Sequence, residues 1–430
     1  MKKLRDLING GGVWSMTDQA IVSMGNFATT VILARSLSKV EYGTYVVLYG
    51  VLLIAHALHA SLVTYPISVL GAHRTATELK RFSSTSVLIT LLLGVPVSAG
   101  VVAAAFVLSK RTDLFPYALA AMFCWQVQET LRRSLMAHLR HRAAISGDTA
   151  TYVGQAIFVY LLVHHSIDRS ARLGFEAIVA GSLVGACVHA IVLGARAPEF
   201  HNLIALFREY FRLGRYPLLS ILGYSTTSLL FPWVLAYRSF AEVANYQTMM
   251  NLIQAVNPVM FSVGNLVVPA VAHEMLKPNG DEKARRVTYR FLLEGLIVLA
   301  PLFIGIVVAP RTIMEMLYGR HSGYGEHDIV VRVLVAGALA TYIGHVLNSY
   351  FMGRKQVGVV AKGQLASSSA GVVCALVLIP VFGVPGAGLS YVAMGMGRSA
   401  ALFVALRRQL ARKRATQAHA IGALQPGEKA

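Results

Sequence analysis

The sequence is poor in charged residues. Only 14% of its 430 residues are Asp, Glu, Lys or Arg, whereas 55% are hydrophobic and the mean hydropathy is +0.58. A soluble domain usually carries about a quarter of its residues as charged side chains. The apolar residues arrive in runs of about 20, separated by short basic turns, and such runs are typical of helical membrane proteins. The composition excludes soluble enzymes, secreted scaffolds and β-barrels, and it predicts an all-α polytopic membrane protein.

Cysteine is scarce as well. The three cysteines, Cys124, Cys187 and Cys374, lie inside separate apolar runs, so we expect neither a disulfide framework nor a metal cluster of short ligand spacing. No glycine-rich phosphate loop follows a strand pattern, and adjacent loop residues such as Asp281 and Glu282 lack the spacing of helical metal ligands. The sequence therefore predicts no metal and no cofactor, and it predicts that the chain is not an enzyme.

Acidic residues are the rarer charged type, with 20 against 39 Lys and Arg, for a net charge of +19. The basic residues lie between hydrophobic runs rather than on an amphipathic soluble surface. Membrane topology explains this placement better than nucleic acid does, so we expect no nucleic-acid partner.

Twelve apolar segments are long enough to span a membrane. Their predicted ranges are 13–34, 42–70, 84–108, 114–136, 147–165, 174–194, 216–237, 243–272, 288–309, 329–352, 359–381 and 386–406. The intervening segment 195–215 is more polar, and its apolar residues approximate one helical face, which predicts an interfacial linker helix. This linker divides the chain into an N-terminal six-helix lobe (1–194) and a C-terminal six-helix lobe (216–407), followed by a basic tail (408–430).

The basic residues also predict the orientation of the chain. Of the 39 Lys and Arg residues, 28 belong to the termini and the loops on their side, 10 belong to the opposite loops, and Arg398 lies inside a span. Cytoplasmic loops carry the excess of Lys and Arg. Both termini, the linker helix and the basic tail are therefore expected to be cytoplasmic.

Residues 31–45, VILARSLSKVEYGTY, resemble the end of the first span and the start of the second in the polysaccharide flippases of the multidrug/oligosaccharidyl-lipid/polysaccharide export superfamily. GGVW at 11–14 and MLYGRHSGYG at 316–325 are similar to further family segments. The resemblance implies two six-helix lobes around a central cavity, and a transporter that turns lipid-linked oligosaccharides from the cytoplasmic to the external leaflet. Lipid II flippases of this superfamily usually have two extra spans, so the resemblance favours another branch.

Two predicted spans carry polar residues on one helical face. The residues are Tyr45, Tyr49, His56 and His59 in span two, and Gln247, Asn251 and Gln254 in span eight. Amides and aromatic rings suit sugar hydroxyls and sugar faces, so these residues, with His345 in span ten, are candidate substrate contacts. Polar span residues also form hydrogen bonds between packed helices, and the sequence leaves that alternative open.

An ionisable side chain costs at least about 2.5 kcal/mol near the bilayer centre and needs a partner or a function. Glu129 can reach Arg132 and Arg133 at i+3 and i+4, which favours structural pairing. Arg398 has no acidic residue on its own helix, so it either extends to the interface or binds an anion such as a lipid pyrophosphate. Arg35, at the outer end of span one, is a candidate substrate contact or an interfacial anchor.

Asp18 shares a helical face with other small and polar residues of span one. As in the drug-exporting relatives that the resemblance implies, it is a candidate site for a coupling ion or proton. Its position within two turns of the helix N-terminus offers another explanation, because the helix dipole stabilises a carboxylate there.

The leading hypothesis is a flippase for a polyprenyl-pyrophosphate-linked oligosaccharide, used to build lipopolysaccharide or exopolysaccharide at a bacterial inner membrane. Its partners would be the lipid-linked oligosaccharide, membrane lipids, and glycosyltransferases and a polymerase of the same pathway. The alternatives are a multidrug or toxin exporter of the same superfamily and a membrane glycosyltransferase or polymerase. The latter should carry a large external loop or domain.

Overall fold

The computed structural model describes residues 11–166 and 168–423, and all regular structure in these residues is helical. The α-helices are α1 Gly11–Ser36, α2 Lys39–His59, α3 Tyr65–Gly71, α4 Ala76–Ser109, α5 Phe115–Ala137, α6 His141–Asp148, α7 Gly154–His165, α8 Arg172–Leu193, α9 Leu203–Ala236, α10 Phe240–Gln254, α11 Asn257–Met275, α12 Gly280–Val308, α13 Pro310–Tyr318, α14 Asp328–Gly353, α15 Val357–Phe382 and α16 Val384–Ala423. Every predicted span falls on one of these helices or on two consecutive ones. The expected all-α membrane fold is confirmed.

Within the described residues, seven helices are long and apolar enough to cross a membrane, or eight if the bent pair α10–α11 is one span. The remaining predicted spans lie on helices that are broken or more polar. Helix α5, for example, carries Glu129, Arg132 and Arg133 on buried or half-buried positions. A span that carries charge into a protein interior scores as less apolar than one that faces lipid, which is why composition alone selects fewer spans.

Two of the predicted spans contain a π-helical turn, Ala60–Thr64 between α2 and α3 and Thr149–Val153 between α6 and α7. Such turns are rare and occur often at functional sites. Each begins directly after a buried polar residue, His59 in the first case and Asp148 in the second. Both turns therefore lie beside the polar groups described in the next section.

The chain forms two compact units. The first contains Met1–Leu252 and Arg311–Glu326, and the second contains Ile253–Pro310 and His327–Ala430. The first unit thus includes α13 and the motif at 316–325, although the chain enters and leaves this segment from helices of the second unit. The six-helix lobes divided at the linker 195–215 stay a prediction.

The linker differs in shape from the expected separate helix. Residues 203–236 form one continuous helix, α9, with Pro217 and Pro232 inside it. Leu206 and Tyr210 are buried in the core of the first unit, and the Tyr210 hydroxyl lies 2.6 Å from the Ser86 hydroxyl. The amphipathic segment therefore begins at Leu203 and continues into span seven without a break. Likewise α16 continues through the described part of the basic tail to Ala423, while residues 1–10 and 424–430 lie outside the described residues.

Helix α5 ends in an unusual way. The Leu139 N–H donates to the Met136 carbonyl at 2.9 Å, and the Arg140 N–H donates to the Leu135 carbonyl at 3.1 Å. This pair of bonds is a Schellman motif, whose left-handed position is ordinarily a glycine. Here Leu139 occupies it with φ 56°. A left-handed conformation costs a non-glycine residue about 1–2 kcal/mol.

Candidate functional site

A buried ion cluster lies where α1, α5 and α6 meet in the first unit. Arg132 donates from Nη2 to Asp18 Oδ2 at 2.6 Å, from Nε to Asp148 Oδ2 at 2.6 Å, and from Nη1 to Glu129 Oε2 at 3.2 Å. The side chains of all four residues are at most 9% exposed. One guanidinium therefore joins three carboxylates from three helices, in an interior where unpaired charge is costly.

Further polar groups complete this cluster. Arg133 donates from Nε to Glu129 at 2.5 Å, and its side chain is 40% exposed. Gln128 donates to Asp148 at 3.2 Å. His189 donates from Nε2 to the Ala144 carbonyl at 3.0 Å, and the same nitrogen lies 3.8 Å from Asp148. Three carboxylates thus face two guanidinium groups, which leaves one negative charge for a proton or a cation to balance.

A cavity of about 790 Å³ adjoins the cluster. It is bounded by the first turns of α1, by the chain after α3, and by the end of α5 with the start of α6. Asp18, Arg74, Arg132 and Arg133 all line it, as does Leu139. Each of these elements lies at the end of the first unit that the charge pattern predicts to be cytoplasmic. The cavity can therefore present guanidinium groups to an anion that arrives from that side.

The aromatic residues predicted in span two form a stack that is buried at Tyr45 and half-buried at Tyr49 and His56. Tyr45 stacks on Tyr49 with ring centroids 5.6 Å apart, and Trp125 of α5 lies between Tyr49 and His56, at 5.9 and 4.3 Å. Their planes are within 18° of parallel. Because Trp125 is enclosed on both sides, it connects α2 and α5, and Tyr45 packs in addition against Phe175. In this structure the stripe makes contacts between helices.

His59 is buried in a small hydroxyl network. Its Nε2 atom lies 3.2 Å from the Thr90 hydroxyl and 3.0 Å from the Thr130 hydroxyl, and these two hydroxyls are 2.8 Å apart. The network joins α2, α4 and α5. A polar side chain with partners on two other helices fits the interhelical alternative, and a direct role of His59 in substrate binding stays a prediction.

The three amide side chains of span eight are divided between the two units. Gln247 donates to Asn251 Oδ1 at 2.8 Å, and Asn251 donates in turn to the Tyr42 hydroxyl at 3.2 Å. Asn251 is buried, whereas Gln254 is exposed at the last residue of α10. The unit boundary falls after Leu252, so Gln254 belongs to the second unit and the other two amides to the first.

The remaining candidates are spread over the chain. In the second unit Arg398 is half-buried, and its Nη2 donates to Gln364 Oε1 on α15 at 2.5 Å. His345 is half-buried on α14, where its ring adjoins Gly264. Arg35 is exposed in the last turn of α1. The structure thus brings Asp18 into the arginine cluster, but it does not place Arg398, Arg35 or His345 there.

Two of the three sequence segments that carry the resemblance, 31–45 and 316–325, meet in the first unit. The Lys39 ammonium lies 4.9 Å from the centre of the Tyr324 ring, and Tyr324 packs edge-on against Tyr318. The Tyr318 hydroxyl donates to the Thr248 carbonyl at 3.2 Å, and burial raises the pKa of Tyr318 to about 12. Segment 316–325 is therefore fixed to the start of α2 by buried aromatic rings.

A second group of charged residues connects the loop after α4 with the starts of α2 and α8. Arg111 pairs with both carboxylate oxygens of Asp113 at 2.9 Å and donates to Glu41 at 2.8 Å. The bond from Arg111 holds the pKa of Asp113 below its usual range, and the bond to Asp113 raises the pKa of Arg111. Glu41 also accepts the backbone N–H of Ala171 at 2.8 Å. Its carboxylate thus joins the starts of α2 and α8 to the loop after α4.

Sequence reasoning identified only part of the cluster. The helix-spaced pairs of Glu129 with Arg132 and Arg133 are confirmed. The bonds from Arg132 to Asp18 and Asp148 bridge separations of 114 and 16 residues, and no local spacing reports such contacts. Trp125 was also missed, because a tryptophan in an apolar run has no distinguishing pattern. Among the described residues, no group of three or more His, Cys, Asp or Glu side chains is placed to hold a metal ion.

Comparisons with known proteins bear on the fold. No family model matches the sequence and no curated protein matches it. Solved structures do match. An inward-facing multidrug resistance MATE family transporter of the MOP superfamily has a TM-score of 0.65 at 14% identity, with 92% of this chain and 95% of that chain covered. The chain therefore shares the fold of that transporter.

Two further structures share this fold. The lipid II flippase MurJ, in an inward closed conformation, has a TM-score of 0.71 at 11% identity, with 92% of this chain and 87% of that chain covered. The eukaryotic MATE transporter AtDTX14 has a TM-score of 0.62 at 13% identity, covering 91% and 94%. At such identities the likeness shows the fold alone. It confirms the fold that the resemblance implied and leaves the substrate open.

Proposed function

We propose that this chain is a flippase that moves a polyprenyl-pyrophosphate-linked oligosaccharide across a bacterial cytoplasmic membrane by alternating access. The observation that carries the proposal is the cavity of the first unit, lined by Arg74, Arg132 and Arg133. A pyrophosphate needs several N–H donors in forked geometry, and arginine supplies them. A cavity lined in this way suits an anionic headgroup better than the cationic drugs that exporters commonly carry.

The three arginines differ in their availability. Arg132 is committed to three carboxylates and is at most 9% exposed. Arg133 uses Nε for Glu129 and keeps a side chain that is 40% exposed. Arg74 is exposed and lies over the Phe82 ring at 5.5 Å. The proposal therefore assigns headgroup contact to Arg74 and Arg133, with Arg132 as the residue that positions α1 against α5 and α6.

Asp18 is the proposed coupling residue. It lines the cavity and bonds to Arg132, and the cluster around it carries one more carboxylate than guanidinium. Loss or gain of one proton there changes the number of charges that Arg132 must balance. A coupling cation held there would compete with Arg132 for the Asp18 carboxylate and would free α1 to move relative to α5.

We assign the other predicted contacts to later steps of transport. Tyr49 and His56 are half-buried members of the aromatic stack, Gln254 is exposed, and Arg398 with His345 lies in the second unit. In this view they meet the saccharide or the pyrophosphate as the substrate passes through the protein. Arg35 lies at the predicted external end. The expected partners are the glycosyltransferases and the polymerase of a lipopolysaccharide or exopolysaccharide pathway.

The proposal can be tested in proteoliposomes. The purified chain should move a fluorescent oligosaccharide linked to a polyprenyl pyrophosphate between leaflets. The double variant Arg74→Gln/Arg133→Gln should reduce the transport rate at least about tenfold, since each lost charge-assisted hydrogen bond contributes about 1.5–3 kcal/mol. Arg81→Gln is the matched control. Arg81 is an exposed arginine of α4 that pairs with Glu199 at 3.4 Å and does not line the cavity. It should leave the rate unchanged.

The same vesicles distinguish the rival function. A multidrug exporter on this fold would accumulate cationic dyes in response to a proton or sodium gradient and would leave the lipid-linked oligosaccharide in place. Dye transport without lipid transport would refute the flippase proposal. A membrane glycosyltransferase would change the chemical composition of the saccharide, which mass spectrometry of the recovered lipid detects.

A further inference from the structure

Leu139 is exposed at the edge of the arginine-lined cavity. Its side chain is 77% exposed, and it lines the cavity together with Arg74 and Arg133. At this exposure Leu139 gains little from packing within the protein. It is also held in the left-handed conformation, which favours glycine. Neither packing nor backbone geometry therefore explains why the residue is leucine.

The turn around Leu139 is firmly held. His138 donates from Nε2 to the Gly71 carbonyl at 3.1 Å, and Arg140 donates from Nη2 to the Val192 carbonyl at 3.3 Å. The residues on both sides of Leu139 are thus bound to the ends of α3 and α8. The backbone between them presents the leucine side chain outward in a fixed position.

The other positions with positive φ carry glycine, asparagine or lysine. Among the described residues they are Lys110, Asn279 and Lys355, together with Gly194, Gly319, Gly323 and Gly383. Glycine and asparagine tolerate this conformation, and lysine reaches water. Within the described ranges Leu139 is the one apolar side chain of this set.

We infer that Leu139 contacts the hydrocarbon chain of an amphiphile whose anionic headgroup is bound by the cavity arginines. The inference rests on the proposed function and adds to it a determinant for the lipid part of the substrate. A lipid-linked pyrophosphate must enter a polar cavity while its chain stays in an apolar environment. The point where the chain leaves the headgroup then needs an apolar contact, and Leu139 is an exposed apolar residue that lines the same cavity as the headgroup arginines.

Binding of two probes to the full chain in phosphatidylcholine nanodiscs tests this inference. Undecaprenyl pyrophosphate carries headgroup and chain, and inorganic pyrophosphate carries the headgroup alone. Leu139→Gly and Leu139→Asn should weaken undecaprenyl pyrophosphate about tenfold, the loss expected when a leucine contact is removed, with inorganic pyrophosphate unchanged. Leu139→Met, which stays apolar, should remain within about twofold of the original affinity.

The substitutions are chosen to preserve folding. Glycine relieves the left-handed conformation, so the thermal midpoint of Leu139→Gly should equal or exceed that of the original chain. Lys355→Gly is the matched control. Lys355 holds the same position of a Schellman motif at the end of α14, with its N–H 2.9 Å from the Met352 carbonyl and the Gln356 N–H 2.9 Å from the Phe351 carbonyl. It should change neither affinity.

Each other outcome has a distinct meaning. If Leu139→Gly binds undecaprenyl pyrophosphate as tightly as the original chain, Leu139 does not contact the lipid chain, and the headgroup site stands. If Leu139→Gly weakens both probes equally, Leu139 supports the shape of the cavity and the inference is wrong. If the original chain binds neither probe, the proposed function fails and the inference fails with it.

Discussion

Removing Arg132 should lower the free energy of unfolding of the first unit more than removing any other single charge of the cluster. Arg132→Met keeps much of the length of the side chain but leaves Asp18 and Asp148 without the donors at 2.6 Å that they now have. Loss of one partner from a buried ion pair costs about 3–5 kcal/mol. Because two buried carboxylates lose their main partner here, we expect a loss in the upper part of that range.

The assay is unfolding of the purified chain by sodium dodecyl sulfate in mixed micelles, followed by circular dichroism. Arg133→Met is the matched control, since Arg133 pairs with Glu129 alone and its side chain is 40% exposed. Arg133 is partly exposed, and the buried Glu129 keeps its bond to Arg132, so this loss should be about 1 kcal/mol, the upper value for exposed pairs. The two neighbouring arginines of α5 should therefore differ severalfold in their effect on stability.

A compensating variant separates charge from packing. Replacing a buried ion cluster by neutral groups of similar shape is often close to neutral in stability, so Asp18→Asn and Asp148→Asn added to Arg132→Met should restore most of the loss. The coupling between these substitutions is measured by a double-mutant cycle. Equal stability of Arg132→Met and the original chain would refute the reasoning. So would a compensated variant no more stable than Arg132→Met.

Three further predictions follow from the charge pattern and from contacts outside the cluster. In a background without Cys124, Cys187 and Cys374, single cysteines at 168 and 323 should react with an impermeant thiol reagent from outside cells and one at 420 should not; external labelling at 420 would contradict the topology. At matched protein abundance, saccharide export should fall from the original chain through Arg398→Lys and Arg398→Ala to Arg398→Glu. Lysine keeps the charge but loses the forked guanidinium, alanine loses both, and glutamate inverts the charge. An Arg398→Ala variant as active as the original chain would contradict a role of Arg398 in headgroup binding. Glu41→Gln should lower the free energy of unfolding by about 1–2 kcal/mol, because the carboxylate accepts hydrogen bonds from Arg111 and from the Ala171 N–H, at 2.8 Å each. Glu176→Gln is the control. Glu176 forms an exposed i,i+4 pair with Arg172, so this variant should change the free energy by less than about 0.5 kcal/mol.

The polar residues of the spans show where sequence reasoning stops. The spacing of Tyr45, Tyr49 and His56 correctly placed them on one face of a helix, but periodicity does not state what that face touches. The structure supplies Trp125 as the ring between Tyr49 and His56. A stripe of polar or aromatic residues is the same pattern whether it borders water or a neighbouring helix, so the sequence left both possibilities open.

The ends of helices show a similar limit. The sequence separated the linker 195–215 from span seven because its charges stop at Arg215, but the backbone continues through Pro217 as one helix. The hydropathy and charge of a residue indicate whether it prefers water or lipid. Whether a helix continues depends instead on how it packs against neighbouring elements. The same limit applies to Leu139, since its left-handed φ is a property of the turn and not of the residue type.

What the sequence determined by itself is the membrane-spanning helical architecture and the local pairs. Runs of about 20 apolar residues need a lipid environment, and residues three or four apart on a helix necessarily lie side by side, as Glu129 does with Arg132 and Arg133. Only the tertiary structure decided that Arg132 also binds Asp18 and Asp148, and that these charges adjoin a cavity edged by Leu139. Those contacts join different helices, and their geometry follows from how the helices pack, which no local pattern along the chain encodes.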